Sequence, residues 1–190
     1  MATLILSRRR LLAAATASFA TLGLRAAPQV SAGPAPATRN LDEESISASE
    51  YCADSQEAKF LSLINSYRKA NGVGSLRLSR TLGAAAEHHS RDMARYNYFG
   101  HTLRNGTAWS TNIVNHGYTV SGTMAENIAA GNSSAQATFD QWRGSSGHNR
   151  NMLNPNLKAI GIGRASKSTS RYGWYWTTTF GGRFDSSPSC

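Results

Sequence analysis

Beyond Leu24 no stretch of the chain approaches the roughly 18 consecutive apolar residues of a membrane-spanning helix, so the mature protein lacks such a segment. Cysteine is almost missing: Cys52 and Cys190 are the whole complement, so at most one intramolecular bridge can form. Acidic side chains are outnumbered, 11 against 20 Lys and Arg, for a net charge of +9. The basic residues are scattered and no recognised nucleic-acid module accompanies them, which argues against DNA or RNA as a partner. Two hydrolase signatures are also lacking. There is no His-Glu-x-x-His, and Gly144-Ser145-Ser146-Gly147 falls one residue short of a nucleophile elbow and sits at a helix end.

What is present begins with an export leader. Arg8, Arg9 and Arg10 precede an uncharged, alanine-rich run from Leu11 to Leu24, and Val30-Ser31-Ala32 supplies the small residues a signal peptidase reads. A basic start, a short apolar run and such a cleavage site predict a signal peptide over residues 1–32. The Ser-Arg-Arg-Arg-Leu-Leu wording suggests the twin-arginine type and a bacterial source, with general secretion as the alternative. As a helical membrane anchor the run would span roughly 21 Å, short of the roughly 30 Å hydrocarbon core.

Removing the leader changes the charge. Arg8, Arg9, Arg10 and Arg25 lie before residue 33 and no acid does, so the mature balance is 16 minus 11, or +5. That supports weak attraction to anionic surfaces such as lipid headgroups. The expected location is periplasmic or extracellular. In such a compartment an even cysteine pair reads as a Cys52–Cys190 disulfide, the alternative being two free thiols. The bridge would be worth roughly 4–5 kcal/mol in the chain-entropy account.

Residues 33–51 read as a linker, proline- and alanine-rich and then acidic and serine-rich, with too few large apolar residues to offset the entropy of ordering. One domain then runs over residues 52–190. A helix is predicted from an Asp54 or Ser55 cap to Ala70, with Phe60, Leu61, Ile64 and Tyr67 on one face and Asn71-Gly72 as its stop. Leu76 and Leu78 make a brief extended approach to a second helix, capped by Ser79 and reaching Asn97. On that helix His89 shares the inward face with Leu82, Ala86 and Met93 and reads as a hydrogen-bonded core residue, while His88 flanks solvent. A short helix over Thr107–His116 and another behind Ser133 or Ser134, ended by Gly144, follow.

After Pro155 the period changes to that of strands. Ile160 and Ile162 alternate with glycines. Trp174, Trp176, Thr178 and Phe180 then oppose Tyr175, Thr177 and Thr179, one face being core and the other partly covered. Helices followed by an antiparallel hairpin predict an α+β layered domain.

Three polar signatures stand out between Tyr98 and Leu153: Tyr98-Phe99-Gly100-His101-Thr102, Ala125-Glu126-Asn127-Ile128-Ala129, and Trp142 followed by Ser146-Gly147-His148-Asn149-Arg150-Asn151. Each places a His or Glu in a loop-like context beside large apolar anchors, where a scaffold positions functional groups. Spacing alone does not bring His101, Glu126 and His148 together.

The order and wording of these motifs, with the Gly-Ile-Gly strand and Tyr175-Trp176-Thr177-Thr178-Thr179-Phe180-Gly181-Gly182 after them, resemble the bacterial branch of the CAP superfamily over about residues 55–182. That superfamily holds cysteine-rich secretory proteins, antigen-five venom proteins and plant pathogenesis-related class-one proteins. The resemblance implies a three-layer α-β-α sandwich with a small antiparallel sheet and a large cleft. It also implies that His101, Glu126 and His148 line that cleft. The family's second Glu falls on Ser145, and Asn112 stands where many bacterial members carry Arg.

Two imidazoles and one carboxylate suit zinc or a similar divalent ion, so His101, His148 and Glu126 are the candidate metal ligands as well as the candidate catalytic groups. Three readings remain open. The first is a binding module for a metal, a small lipid or a peptide. The second is a hydrolase using metal-bound water or a His–Glu pair. The third is a structural or interaction protein of the cell envelope.

Overall fold

A computed structural model describes residues 50–119 and 122–190. The leader over residues 1–32 and nearly all of the expected linker lie outside the described residues. Tyr51, assigned to the linker, is instead core: its ring is 1% exposed and its hydroxyl donates to Ile162 O at 2.6 Å. Gly83 makes this possible, because a Cβ there would stand 2.0 Å from the Tyr51 ring.

Helix α1, Ser55–Ala70, opens with a capping box. Asp54 Oδ1 accepts from the backbone N–H groups of Gln56 and Glu57, and Glu57 returns Oε2 to Asp54 N–H at 2.8 Å. Strand β1 is only Arg77–Leu78, and helix α2 follows over Arg80–Tyr96 with Ser79 as its cap. Asn97 ends α2 in the left-handed region, φ 55°, which asparagine tolerates better than most residues. Next come α3 (Trp109–Asn115), β2 (Met124–Ala130), α4 (Ala135–Arg143, capped by Ser134), α5 (Ser146–Met152), β3 (Ala159–Ser166) and β4 (Trp174–Gly181).

The sheet order is β1-β3-β4-β2. β4 pairs antiparallel with both β3 and β2, as the hairpin pattern predicts, but β1 adds a parallel edge, so the sheet is mixed. Alternation along the strands sorts side chains into two layers. Ile160, Ile162, Trp176, Phe180 and Ala129 pack with Phe60, Ile64, Phe139 and Trp142 from α1 and α4. On the opposite face Ala165, Tyr175 and Ile128 meet Met93 and Ala94 of α2. The result is an α-β-α sandwich with α1, α4 and α5 on one side and α2 and α3 on the other. Among the described residues no helix is long and apolar enough to cross a membrane.

Two observations correct the strand reading. The second face of β4 is fully covered, with Tyr175, Thr177 and Thr179 at 0% exposure, because α2 lies directly on it. Thr179 donates its hydroxyl to Leu82 O at 2.8 Å, and Ser90 on α2 donates to Thr177 Oγ1 at 2.9 Å. The Glu126 and His148 motifs, read as loop-like, are regular structure: the first is β2 and the second is α5.

Arg68 explains how so polar a helix as α5 is held. This fully buried guanidinium donates to Gly74 O, Met152 O, Asn154 O and Leu157 O, at 2.7–3.1 Å. It thereby fixes the turn that leaves α5. The terminal cysteines meet as expected, in a Cys52–Cys190 disulfide with Cα atoms 5.8 Å apart.

Candidate functional site

The site forms where edge strand β2 passes between the two helical layers. Residues of even number on β2 face α2, so Glu126 points at His89; odd residues face the other layer, so Asn127 points at α5. The Glu126 carboxyl group is buried, and each oxygen is engaged by an imidazole. His89 Nδ1 lies 2.8 Å from Oε2, and His101 Nδ1 lies 2.7 Å from Oε1. His101 comes from the loop after α2. Its side chain is 51% exposed, whereas that of His89 is 0% exposed.

His148 arrives from the opposite side on α5. Asn127 Nδ2 donates to His148 O at 3.2 Å, while Asn151 Nδ2 donates to Asn127 Oδ1 at 2.8 Å and to Glu126 O at 3.3 Å. These amides tie α5 to β2. The His148 ring packs beside the Trp142 indole, centroids 6.0 Å apart, and Trp142 is anchored by its own N–H to Ile128 O at 3.1 Å. His148 Nδ1 is buried and has no hydrogen-bond partner among the described residues.

Hydrogen-bond chemistry determines where protons sit. His89 Nε2 faces Gly100 O at 3.0 Å, a carbonyl that can only accept, so this nitrogen carries a proton. Its other nitrogen, Nδ1, faces Glu126 Oε2, which fixes the carboxyl group from the buried side and leaves Oε1 to orient His101. At His148 the buried, unpartnered Nδ1 leaves Nε2 as the ring nitrogen open to a ligand.

The two outward imidazoles are pushed in opposite directions. The hydrogen bond to Glu126 raises the His101 pKa above its ordinary value against the opposing effect of burial. Burial lowers that of His148, and the nearby charge of His101 lowers it further.

Of the residues singled out by sequence, Glu126 and His101 are in direct contact. His148 joins them through the Asn127–Asn151 bracket. His89 had been read as a core residue, which it is, but its bond to Glu126 spans 37 positions and has no local signal. Asn127 and Asn151 lie inside the motifs already noted; two amides flanking the candidate residues were the available clue. Ser145, at the position of the second family Glu, is the N-cap of α5 and makes no side-chain cap bond. Among the described residues no group of three or more His, Cys, Asp or Glu side chains is placed to hold a metal ion.

Comparison with known proteins agrees with this architecture. The profile of the CAP family, described as cysteine-rich secretory protein family, matches residues 61–180. The uncharacterized protein YkwD of Bacillus subtilis (strain 168) is 33% identical over 159 residues, which cover 83% of this chain and 59% of YkwD. An extracellular protein containing an SCP domain from Bacillus anthracis superposes with a TM-score of 0.57 at 27% identity, over 65% of this chain and 39% of that one. An outer surface protein of Borrelia burgdorferi has the same fold, with a TM-score of 0.60 at 24% identity over 69% of this chain and 96% of its own. The chain thus spans about three-fifths of YkwD and two-fifths of the B. anthracis protein.

Proposed function

The chain belongs to the cysteine-rich secretory protein (CAP) family, and from that premise we propose that it is an exported binding module whose site takes the oxygen-bearing, anionic head of a small lipid or peptide. The observation that carries this reading is the geometry at Glu126, whose two carboxyl oxygens lie 2.8 Å from buried His89 Nδ1 and 2.7 Å from half-exposed His101 Nδ1. His101 is half exposed and its pKa is raised by Glu126, so its ring takes up a proton readily on the solvent side. The His148 ring, its Nδ1 buried, has Nε2 left for a ligand. A protonated imidazole and a ring N–H suit a carboxylate or phosphate oxygen. The Cys52–Cys190 bridge, and the extracellular description of the B. anthracis relative, support export.

Zinc is the competing ligand, and the donor set fits it poorly. Both Glu126 oxygens lie within hydrogen-bond reach of imidazoles, and no group of three or more His, Cys, Asp or Glu among the described residues is placed to hold a metal. The two ligands also predict opposite pH dependence. Carboxylate binding strengthens as pH falls through the raised His101 pKa, whereas metal binding weakens because protons compete for nitrogen.

The test is titration of dodecanoate, with dodecanol as the uncharged control, into the full chain and its His101→Ala and His148→Ala variants. Dodecanoate is expected to bind the wild type, more tightly at about pH 6 than at about pH 8, and to lose affinity in both variants. Equal binding of acid and alcohol, or of dodecanoate to all three proteins, overturns the reading.

A hydrolase is the second reading, favoured by the divergent His101 and His148 pKa values. Groups pushed apart in this way serve as acid and base. Turnover in a broad ester and peptide screen, lost on His148→Ala, would establish it over simple binding.

A further inference from the structure

A second pair of imidazoles lies between α2 and α3, one of them on His88, the chain neighbour of His89. His88 and His116 have ring centroids 5.0 Å apart with planes tilted by 42°, and both hang from Asn112. His88 Nδ1 lies 2.8 Å from Asn112 Oδ1, and His116 Nδ1 lies 2.8 Å from the backbone oxygen of the same residue. The orientation of the Asn112 amide is not arbitrary. Its Nδ2 donates to Ala85 O at 2.9 Å, and since a carbonyl can only accept, Oδ1 is the atom turned toward His88.

From this arrangement we propose that His88 and His116 form a two-imidazole clamp for a divalent first-row cation such as zinc, held by their Nε2 atoms and oriented by Asn112. Each Nδ1 faces an oxygen acceptor, so in the neutral ring each Nδ1 carries the proton and each Nε2 keeps its lone pair. The spacing fits as well. Zinc–nitrogen bonds of about 2.0–2.1 Å put a ring centre about 3.2 Å from the ion, and two rings at the tetrahedral angle then have centres about 5.2 Å apart.

Asn112 supplies the outer hydrogen bonds that fix tautomer and ring orientation in histidine metal sites. Water or a small ligand would complete the coordination, since no third His, Cys, Asp or Glu joins the pair among the described residues. The proposal does not rest on the anion-binding reading, because the two sites share no residue.

The experiment is calorimetric titration of zinc into the full chain and its His88→Gln, His116→Gln and His101→Ala/His148→Ala variants. One equivalent is expected to bind the wild type and the His101/His148 double variant alike. A loss of about tenfold or more in affinity is expected in each glutamine variant, in line with the effect of disturbing a metal site. No zinc binding by the wild type, or unchanged affinity in both glutamine variants, overturns the clamp. A readout that needs no variant is the long-range proton–nitrogen spectrum of the imidazoles. Both rings should be Nδ1–H tautomers whose Nε2 resonances move with zinc, and an Nε2–H tautomer in either refutes the geometry.

Discussion

At the scale of single residues, Glu126 does the most with the least exposure, since one buried carboxyl group sets the tautomer, the orientation and the proton affinity of His101. Glu126→Gln replaces one oxygen by an amide donor and removes the charge. His101 should then titrate at a lower pH than in the wild type, measurable from the imidazole C–H resonance. The effect on stability has a definite sign. A histidine whose folded pKa is raised above 6.5 contributes stability that is complete below that value and lost as pH rises through the folded pKa. The wild type should therefore lose stability on going from about pH 6 to about pH 8 more steeply than Glu126→Gln. His148 works in the opposite sense, because its pKa is depressed and acidification below 6.5 costs stability. Urea midpoints across this range check both statements, and an identical pH profile for wild type and Glu126→Gln would refute the assigned role.

At the scale of elements, the site depends on how closely α2 can approach the sheet. Gly161 and Gly163 are the reason it lies so near: a Cβ on Gly161 would stand 2.0 Å from the Leu82 carbonyl carbon, and one on Gly163 would stand 2.2 Å from Glu87 N. Backbone atoms cannot step aside as a side chain would. Gly161→Ala should therefore cost about 1–3 kcal/mol or more through overpacking, read from denaturant midpoints. It should also raise the His101 pKa, because lifting α2 draws His89 away from Glu126 and leaves the carboxyl group to His101 alone. A stable variant with an unchanged His101 titration would show that the approach of α2 does not set the site. Legibility in the sequence follows similar physics. Helices α1, α2 and α4 were readable because caps and apolar periodicity are local, and their bounds fall at Asp54, Ser79 and Ser134 as expected. Strand β2 was not, since Glu126-Asn127 in mid-strand breaks no local rule for a loop and is satisfied only by α2 and α5. Helix α5 was hidden for the same reason. Its Ser-Gly-His-Asn-Arg-Asn run has little intrinsic helix propensity and is held by Arg68, Asn127 and Tyr67 from distant parts of the chain.

On the scale of the whole described domain, its two ends are fastened together beside the start of α2. Cys52 and Cys190 are 138 positions apart and bonded. The segment before Cys190 is pinned by Asp185, whose carboxylate accepts from Ser79 and Thr81 hydroxyls at 2.5 Å each, and by Arg80 N–H to Ser186 O at 2.9 Å. Burial alone would raise the Asp185 pKa, but the Ser79 and Thr81 hydroxyls outweigh it and hold the group below its ordinary value. The bridge therefore closes a loop that already has native contacts at its mouth. In the chain-entropy account a loop of this length contributes about 5 kcal/mol by restricting the unfolded chain. Little of that should reach the site, because His101, Glu126 and His148 are braced by α2, β2 and α5 and not by the terminal segment. The Cys52→Ser/Cys190→Ser double variant is thus expected to lose several kcal/mol in urea, up to about 5, while its His101 and His148 titrations at low denaturant stay those of the wild type. If the titrations shifted while the fold persisted, the disulfide would be shaping the native site. A loss of stability with unmoved titrations would place its action on the unfolded chain.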